Sequence, residues 1–241
     1  MGSYNWNWPI LFKDPYFGWI LTGFGNTVLI AVMAWLIAFP LGSAIGIART
    51  LEGGAPRVVG TAYVEIFRNI PLLVQMFLWY FVVPELLPAD WGRWLKHDMP
   101  HPQLLTAVAC LGLYTASRVA EQVRSGIEAI PRGQRNAGLA MGLTQLQVYR
   151  YVLMPVAYRT IIPPLTSDFL GVFKNSSLAL TIGVLELTSQ ARQIEEYTFA
   201  AFEAFTAATV LYCLVTGLVI LIMRVVERRT RIAGTIAVGA K

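Results

Sequence analysis

Charge is scarce in this sequence. Only 14% of its 241 residues are Asp, Glu, Lys or Arg, against 56% hydrophobic, and mean hydropathy is +0.55. Soluble domains carry about 25% charged residues, so a water-soluble globule is excluded and a single membrane-embedded domain, residues 1–241, is expected. Cysteine is almost missing: Cys110 and Cys213 both lie in apolar runs, where small buried hydrophobes are expected rather than a disulfide or metal site. The two histidines, His97 and His101, are separated by Pro100, which favours a solvated loop over a zinc pair. No G-x-x-x-x-G-K-[ST] phosphate loop, H-E-x-x-H pair or nucleophile–base set occurs. The chain is therefore not a P-loop ATPase, and no bond chemistry is expected of it. Its net charge of +5 is spread over separate loops, which argues against nucleic acid as a partner. A cleavable signal peptide is not expected either, because the start lacks basic residues and the first apolar run exceeds a signal core of about 7–15 residues.

What the sequence does have is long apolar runs. A bilayer core of about 30 Å needs roughly 20 helical residues. Residues 19–48, 58–83, 103–120, 163–186 and 200–223 predict five spans, the fourth weakened by Asp168 and Lys174. Trp6, Trp8, Tyr16 and Trp19 suit an interfacial N-terminal segment, 1–18. With the N-terminus outside, 13 of the 19 Lys and Arg fall in the inner segments 49–57, 118–159 and 224–241. Four (Lys13, Arg93, Lys96, Arg192) fall outside, and Arg68 and Lys174 lie within spans. This positive-inside bias predicts N-terminus out and C-terminus in.

One cytoplasmic stretch breaks the pattern. In "GQRNAGLAMGLTQLQVYRYVLMP" (133–155), Pro131 suits a preceding first helical turn and Ala137, Gly138, Ala140 and Gly142 offer little bulk. Gly142 suits a helix stop, and Thr144 with Gln147 has capping-box spacing. The prediction is helix, sharp turn, helix: either a knob that enters a groove on a cytoplasmic partner or a loop packed on its own domain.

Charges inside spans are costly without a partner or a wet cavity. Arg68 has Glu65 three residues away on one helix face, so a local ion pair competes with a pathway role. Lys174 has no such neighbour, since Asp168 is rotated away by about 600°. Counted from 58 and 163, both cations lie roughly 15–17 Å deep, near the midplane where transporters place substrate sites. Pro71 interrupts one span after Asn69. Arg68 and Lys174, with Gln75, Asn175 and Ser176 as polar support, are the expected lining of a path for an anionic substrate. Gly42 and Gly46 form a small-xxx-small pair that predicts close helix packing.

The 133–155 stretch resembles the signature loop of binding-protein-dependent ABC importer permeases: Glu-Ala-Ala, three residues, Gly, then nine residues to an apolar position shortly before Leu-Pro. Asn136-Ala137-Gly138, Gly142, Val152 and Met154-Pro155 occupy those places. "YVEIFRNIPLLVQ" (63–75), "EQVRSGIEAIPRGQ" (121–134), "PPLTSDFLGVFKNSSL" (163–178) and "IGVLEL" (182–187) resemble the polar amino-acid subfamily. With "YNWNW" and "WYFVVPELLP" they are most similar to glutamate/aspartate importer permeases. The resemblance implies an all-α integral membrane protein with the type I ABC importer permease fold, in a bacterial inner membrane. Its cytoplasmic coupling-helix region, 124–159, would dock two ATPase subunits through Arg135, Asn136, Ala137, Gly138 and Gly142. Those subunits, not this chain, would bind ATP and Mg. A homologous permease or a second copy would complete the path, and a periplasmic amino-acid-binding protein would deliver substrate. Asn136 replaces the usual Glu, so a charge-assisted contact from that position is not carried over. Alternatives are another polar amino acid (glutamine, histidine, arginine), an ion-coupled secondary carrier, or a membrane scaffold that recruits a partner and moves nothing.

Overall fold

The computed structural model describes residues 6–51 and 53–230, and its regular elements among these are all helical. The opening five residues of the interfacial segment, Glu52, and the basic tail with Arg231 and Lys241 lie outside the described residues. In chain order the helices are α1 (Tyr16–Thr50), α2 (Ala55–Asn69), α3 (Leu72–Leu86), the short α4 (Ala89–Arg93), α5 (Pro102–Glu128), α6 (Arg132–Ala140), α7 (Gln145–Ile182), α8 (Leu187–Thr198) and α9 (Ala201–Thr230).

α1 and α5 form the centre. They run parallel and touch backbone to backbone because Gly42 and Gly46 have no side chain to hold them apart. A Cβ on Gly42 would sit 2.5 Å from the Ala116 carbonyl oxygen, and one on Gly46 would sit 2.7 Å from that of Ala120. The small-xxx-small pair is thus a packing seam. α7 returns along α5, with Ile161 against Gly126 and Asp168 against Arg118. At one end of the bundle, Trp19 meets Tyr197 and Trp6 meets Phe202, while Leu11, Ile20, Ile194 and Ala204 share a core. At the other end, Val123, Ile127, Val148, Tyr149 and Leu153 form a second core, and the Tyr149 hydroxyl donates to the Thr50 carbonyl.

Three of the five predicted spans change shape. α1 and α9 are each long and apolar enough to cross a membrane. Two bent pairs, α2 with α3 (103°) and α7 with α8 (50°), raise the number to four on length and composition. α5 has 27 residues, about 40 Å of helix, but extends well past the predicted 103–120 and carries Arg118, Glu121, Arg124 and Glu128. The predicted 58–83 span is two helices meeting at an elbow, since Pro71 has no N–H to continue α2. The fourth span does not begin at 163. α7 is helical from Gln145, passes a π-turn at Tyr149–Leu153, and carries Pro163 and Pro164 inside the helix. It tightens to a 3-10 turn at Ser176–Ile182, and Gly183 (φ 85°) ends it. Counting from 163 therefore does not start at a helix end, whereas 58 lies three residues inside α2.

Candidate functional site: a polar stripe and a protruding knob

The knob has the predicted build. Pro131 stands one place earlier than expected, as N-cap of α6 rather than in its first turn. Met141 ends α6, Gly142 takes φ +83°, and Thr144 opens α7. The Thr144 hydroxyl accepts from the Gln147 backbone N–H at 3.3 Å, while the Gln147 side-chain Oε1 accepts from the Thr144 N–H at 2.8 Å. Asn136, Ala137 and Gly142 are exposed and Arg135 is partly buried. Gly138 faces inward, contrary to its reading as a contact surface: an added Cβ would meet Val148 Cγ2 at 3.1 Å. Its smallness lets α6 fold onto α7. The outward face instead carries apolar side chains absent from the sequence reading, Met141 (83% exposed), Leu146 (77%) and Leu139 (40%).

The five predicted pathway residues separate into two groups. Gln75 is buried, and its amide nitrogen donates to the Phe67 carbonyl at 2.8 Å and the Ile70 carbonyl at 2.9 Å. These are the orphan carbonyls at the end of α2, so Gln75 holds the elbow closed. Ser176 is buried and donates to the Phe173 carbonyl at 2.7 Å. Both have their hydrogens on the backbone rather than at an open surface. Arg68 and Lys174 are exposed and Asn175 partly so. Lys174 opens onto a cleft of about 420 Å³ with Ser177, Thr181, Thr188, Tyr212 and Thr216. Cys213, expected to be buried, is exposed in the same cleft; Cys110 is buried.

Glu121, which the sequence places in a charge cluster between Arg118 and Arg124, also organises arginines from other helices, and those pairings were not foreseen. Arg68 pairs across helices with Glu121, Nη1 to Oε2 at 3.7 Å, and not with Glu65, which is exposed. Glu121 also takes Arg49 at 2.7 Å and Arg124 at 2.5 Å. One carboxylate thus joins the end of α1, the end of α2 and α5. Further along α5, the Arg118 Nε donates to Asp168 Oδ1 at 2.7 Å.

A signal for this site was present in the sequence. On α5 the exposed or partly exposed side chains Tyr114, Arg118, Glu121, Gln122, Ser125 and Glu128 recur at three- and four-residue spacing. Every apolar residue from Ala116 to Ile127 is buried. The central helix therefore presents one continuous polar stripe leading to the knob. Lipid is a poor neighbour for such a face, because ionised groups in a bilayer need a partner or water.

Comparison with known proteins agrees with this architecture. Residues 38–232 match the family "Binding-protein-dependent transport system inner membrane component". The chain is 48% identical to the glutamate/aspartate import permease protein GltJ of Escherichia coli (strain K12), across 96% of this chain and 98% of that one. It is 31% identical to the glutamine transport system permease protein GlnP of the same strain, across 95% and 99%. Among solved structures it superposes on an amino acid ABC transporter crystallised with histidines, at TM-score 0.78 and 27% identity, covering 94% of this chain and 100% of that one. It shares its fold with the MetNI methionine transporter at TM-score 0.73 and 19% identity, over 91% and 100%. The all-α bundle with its broken helices and protruding knob is the type I ABC importer permease fold, and the chain belongs to the family of inner-membrane components of binding-protein-dependent transport systems.

Proposed function

We propose that this chain is a transmembrane subunit of an ATP-driven importer of glutamate and aspartate in a bacterial inner membrane, crossing it five times with the N-terminus outside. The observation that carries this reading is the 48% identity, end to end, with a permease named for those two acids. The geometry suits it: three exposed cations, Arg68, Arg118 and Lys174, on a bundle whose central helix has a polar face. Arg68, Lys174 and Asn175 line the path. A second permease, identical or homologous, closes that path opposite the stripe. A periplasmic binding protein loads it, and two ATPase subunits seat the knob through Asn136, Ala137 and its apolar tip, with Arg135 behind them. ATP-driven closure of the ATPases tilts the knobs and exchanges an inward-open for an outward-open cavity.

The test is reconstitution of the assembled complex in vesicles with ATP inside and binding protein outside. Uptake of labelled glutamate and aspartate is compared with glutamine, histidine and arginine. Preference for the two acids and dependence on ATP are expected. Uptake driven by a proton or sodium gradient without ATPase subunits would refute the reading. In the same vesicles, Lys174→Met is expected to lower uptake, and undiminished uptake would remove Lys174 from the path.

A further inference from the structure

Away from the polar stripe and the knob, the segment that joins α3 to α5 encloses a further cavity. This pocket of about 290 Å³ is walled by Trp79 and Val83 of α3, Leu95 and Met99 of the turn after α4, and Leu105 and Ala109 of α5. The surrounding backbone is closely fitted. Gly92 lets α4 lie against the end of α3, where an added Cβ would collide with the Pro84 carbonyl oxygen. The Met99 N–H donates to the Trp94 carbonyl at 2.8 Å and closes the turn. Lys96 lines the same pocket and reaches its rim, where it pairs with Glu85, a carboxylate 70% exposed.

What suits the pocket follows from where it lies. Trp79, Val83, Leu105 and Ala109 belong to apolar runs of membrane length, so the walls stand at the edge of hydrocarbon. Trp91 and Trp94 are exposed on the adjoining segment, as tryptophans at a membrane–water interface are. The volume is near the lower limit of ligand pockets, roughly 300 Å³, which suits part of one acyl chain and not a whole lipid. Lipid tails are as apolar as these walls, so the walls admit a chain without choosing among lipids. Choice falls to the rim. There the Lys96 ammonium suits a phosphate diester and the Glu85 carboxylate suits a headgroup amine. A primary ammonium can also donate a charge-assisted hydrogen bond to that carboxylate, which a quaternary one cannot. A headgroup with phosphate and no amine meets Glu85 as a like charge.

We infer that this pocket is a lipid site, which takes part of an acyl chain of a zwitterionic phospholipid with a primary amine, phosphatidylethanolamine in chemistry, its phosphate on Lys96 and its ammonium on Glu85. On the orientation proposed above, the lipid belongs to the outer leaflet. The site is separate from any transport path and goes beyond the import reading. A chain seated there fills the gap between α3 and α5 and so braces the outer arm of the elbow at Pro71.

The test is native mass spectrometry of the purified complex, delipidated in detergent and titrated with phosphatidylethanolamine, phosphatidylcholine or phosphatidylglycerol of identical chains. Wild type is expected to retain phosphatidylethanolamine roughly three- to fivefold better than the other two, the size that exposed charge pairs give. Ala109→Phe fills the pocket and is expected to abolish retention of all three. Lys96→Met leaves the walls intact and is expected to lower retention of all three, and it decides the matter if Ala109→Phe fails to assemble. Glu85→Gln is expected to remove the preference for the amine while the phosphate contact remains. Equal retention of the three lipids by wild type overturns the inference. So does retention of phosphatidylethanolamine that is unchanged in both Ala109→Phe and Lys96→Met. A benzophenone attached at Leu105→Cys, in a Cys213→Ser background, reports the occupant in native membranes: capture of phospholipid is expected, and capture of a second permease subunit overturns the inference. Because binding is read without ATP or amino acid, failure of the import reading leaves this site standing, and failure of this site leaves the import reading untouched.

Discussion

The apolar tip of the knob is open to direct test. Met141 and Leu146 are 83% and 77% exposed in the isolated subunit, which is a large share of two side chains to leave in water. Fully burying such a side chain is worth about 1.5–3 kcal/mol, so docking that covers about four-fifths of each gains about 2.5–5 kcal/mol from the pair. Association returns only part of this. We take about 2 kcal/mol as the loss for Met141→Ser with Leu146→Ser, which is roughly thirtyfold in affinity. The assay is titration of the purified ATPase subunit onto immobilised, detergent-solubilised permease. Because both side chains project outward, thermal unfolding of the permease alone should change by no more than about 0.5 kcal/mol. Trp91→Ser, 66% exposed beyond the other end of α5, is the control and should leave ATPase affinity unchanged. If the double variant binds within about twofold of wild type while Trp91→Ser does the same, the tip is not a docking surface and the argument from exposed apolar area fails.

Other consequences follow from the packing and the caps. Gly42→Ala pushes a methyl against the Ala116 carbonyl and Val119 Cβ, at 2.5 and 2.7 Å; backbone cannot swing aside, so about 1–3 kcal/mol of stability should be lost. Gly18→Ala, with nothing within 4 Å, should be neutral or stabilising in the same thermal-melt series. Thr144→Ala removes the cap of α7 and should cost about 0.5–2 kcal/mol, read as faster hydrogen exchange over 144–148 with little change near Gly42. In the outer segment, Glu85 is paired with Lys96, and the ammonium holds its carboxyl below the ordinary value of 4.5. Its contribution is therefore present above that value and is lost as pH falls through the lowered one. Hydrogen-exchange protection of residues 84–98 should drop there in wild type and not in Lys96→Met.

Features set by neighbouring residues were legible before any coordinates. Pro71 marked the break after Asn69, Gly142 the left-handed turn, Thr144 and Gln147 the cap, Gly42 and Gly46 the close seam. Each rests on steric or hydrogen-bonding rules that span a few residues. The 103° elbow was not legible, because Pro71 dictates only that α2 stops and Gln75, reaching back to two carbonyls, sets how the chain leaves. Glu65 was the candidate partner weighed for Arg68 because the two share a helix face; the acid that meets it, Glu121, belongs to another helix 53 positions later. Gly138 was misread for a related reason: a small residue signals close approach, but not whether the approaching surface is foreign or the chain's own α7. The stripe on α5 could have been read from spacing alone, had the helix been carried past the predicted end of the span at 120. Its pairing with Asp168 needed the tertiary fold.

The shared Glu121 carboxylate has a mechanical consequence. α5 runs unbroken from Arg118 to Glu128, and α6 begins only four residues later at Arg132. A helix of that length behaves as a stiff shaft, so torque applied at the protrusion arrives at Arg118 and Glu121 with little damping. Arg68, tethered to the same carboxylate, carries the load onward to the hinge at Pro71. On the proposed importer reading, the knob and the bend after Asn69 are thereby geared to one axle.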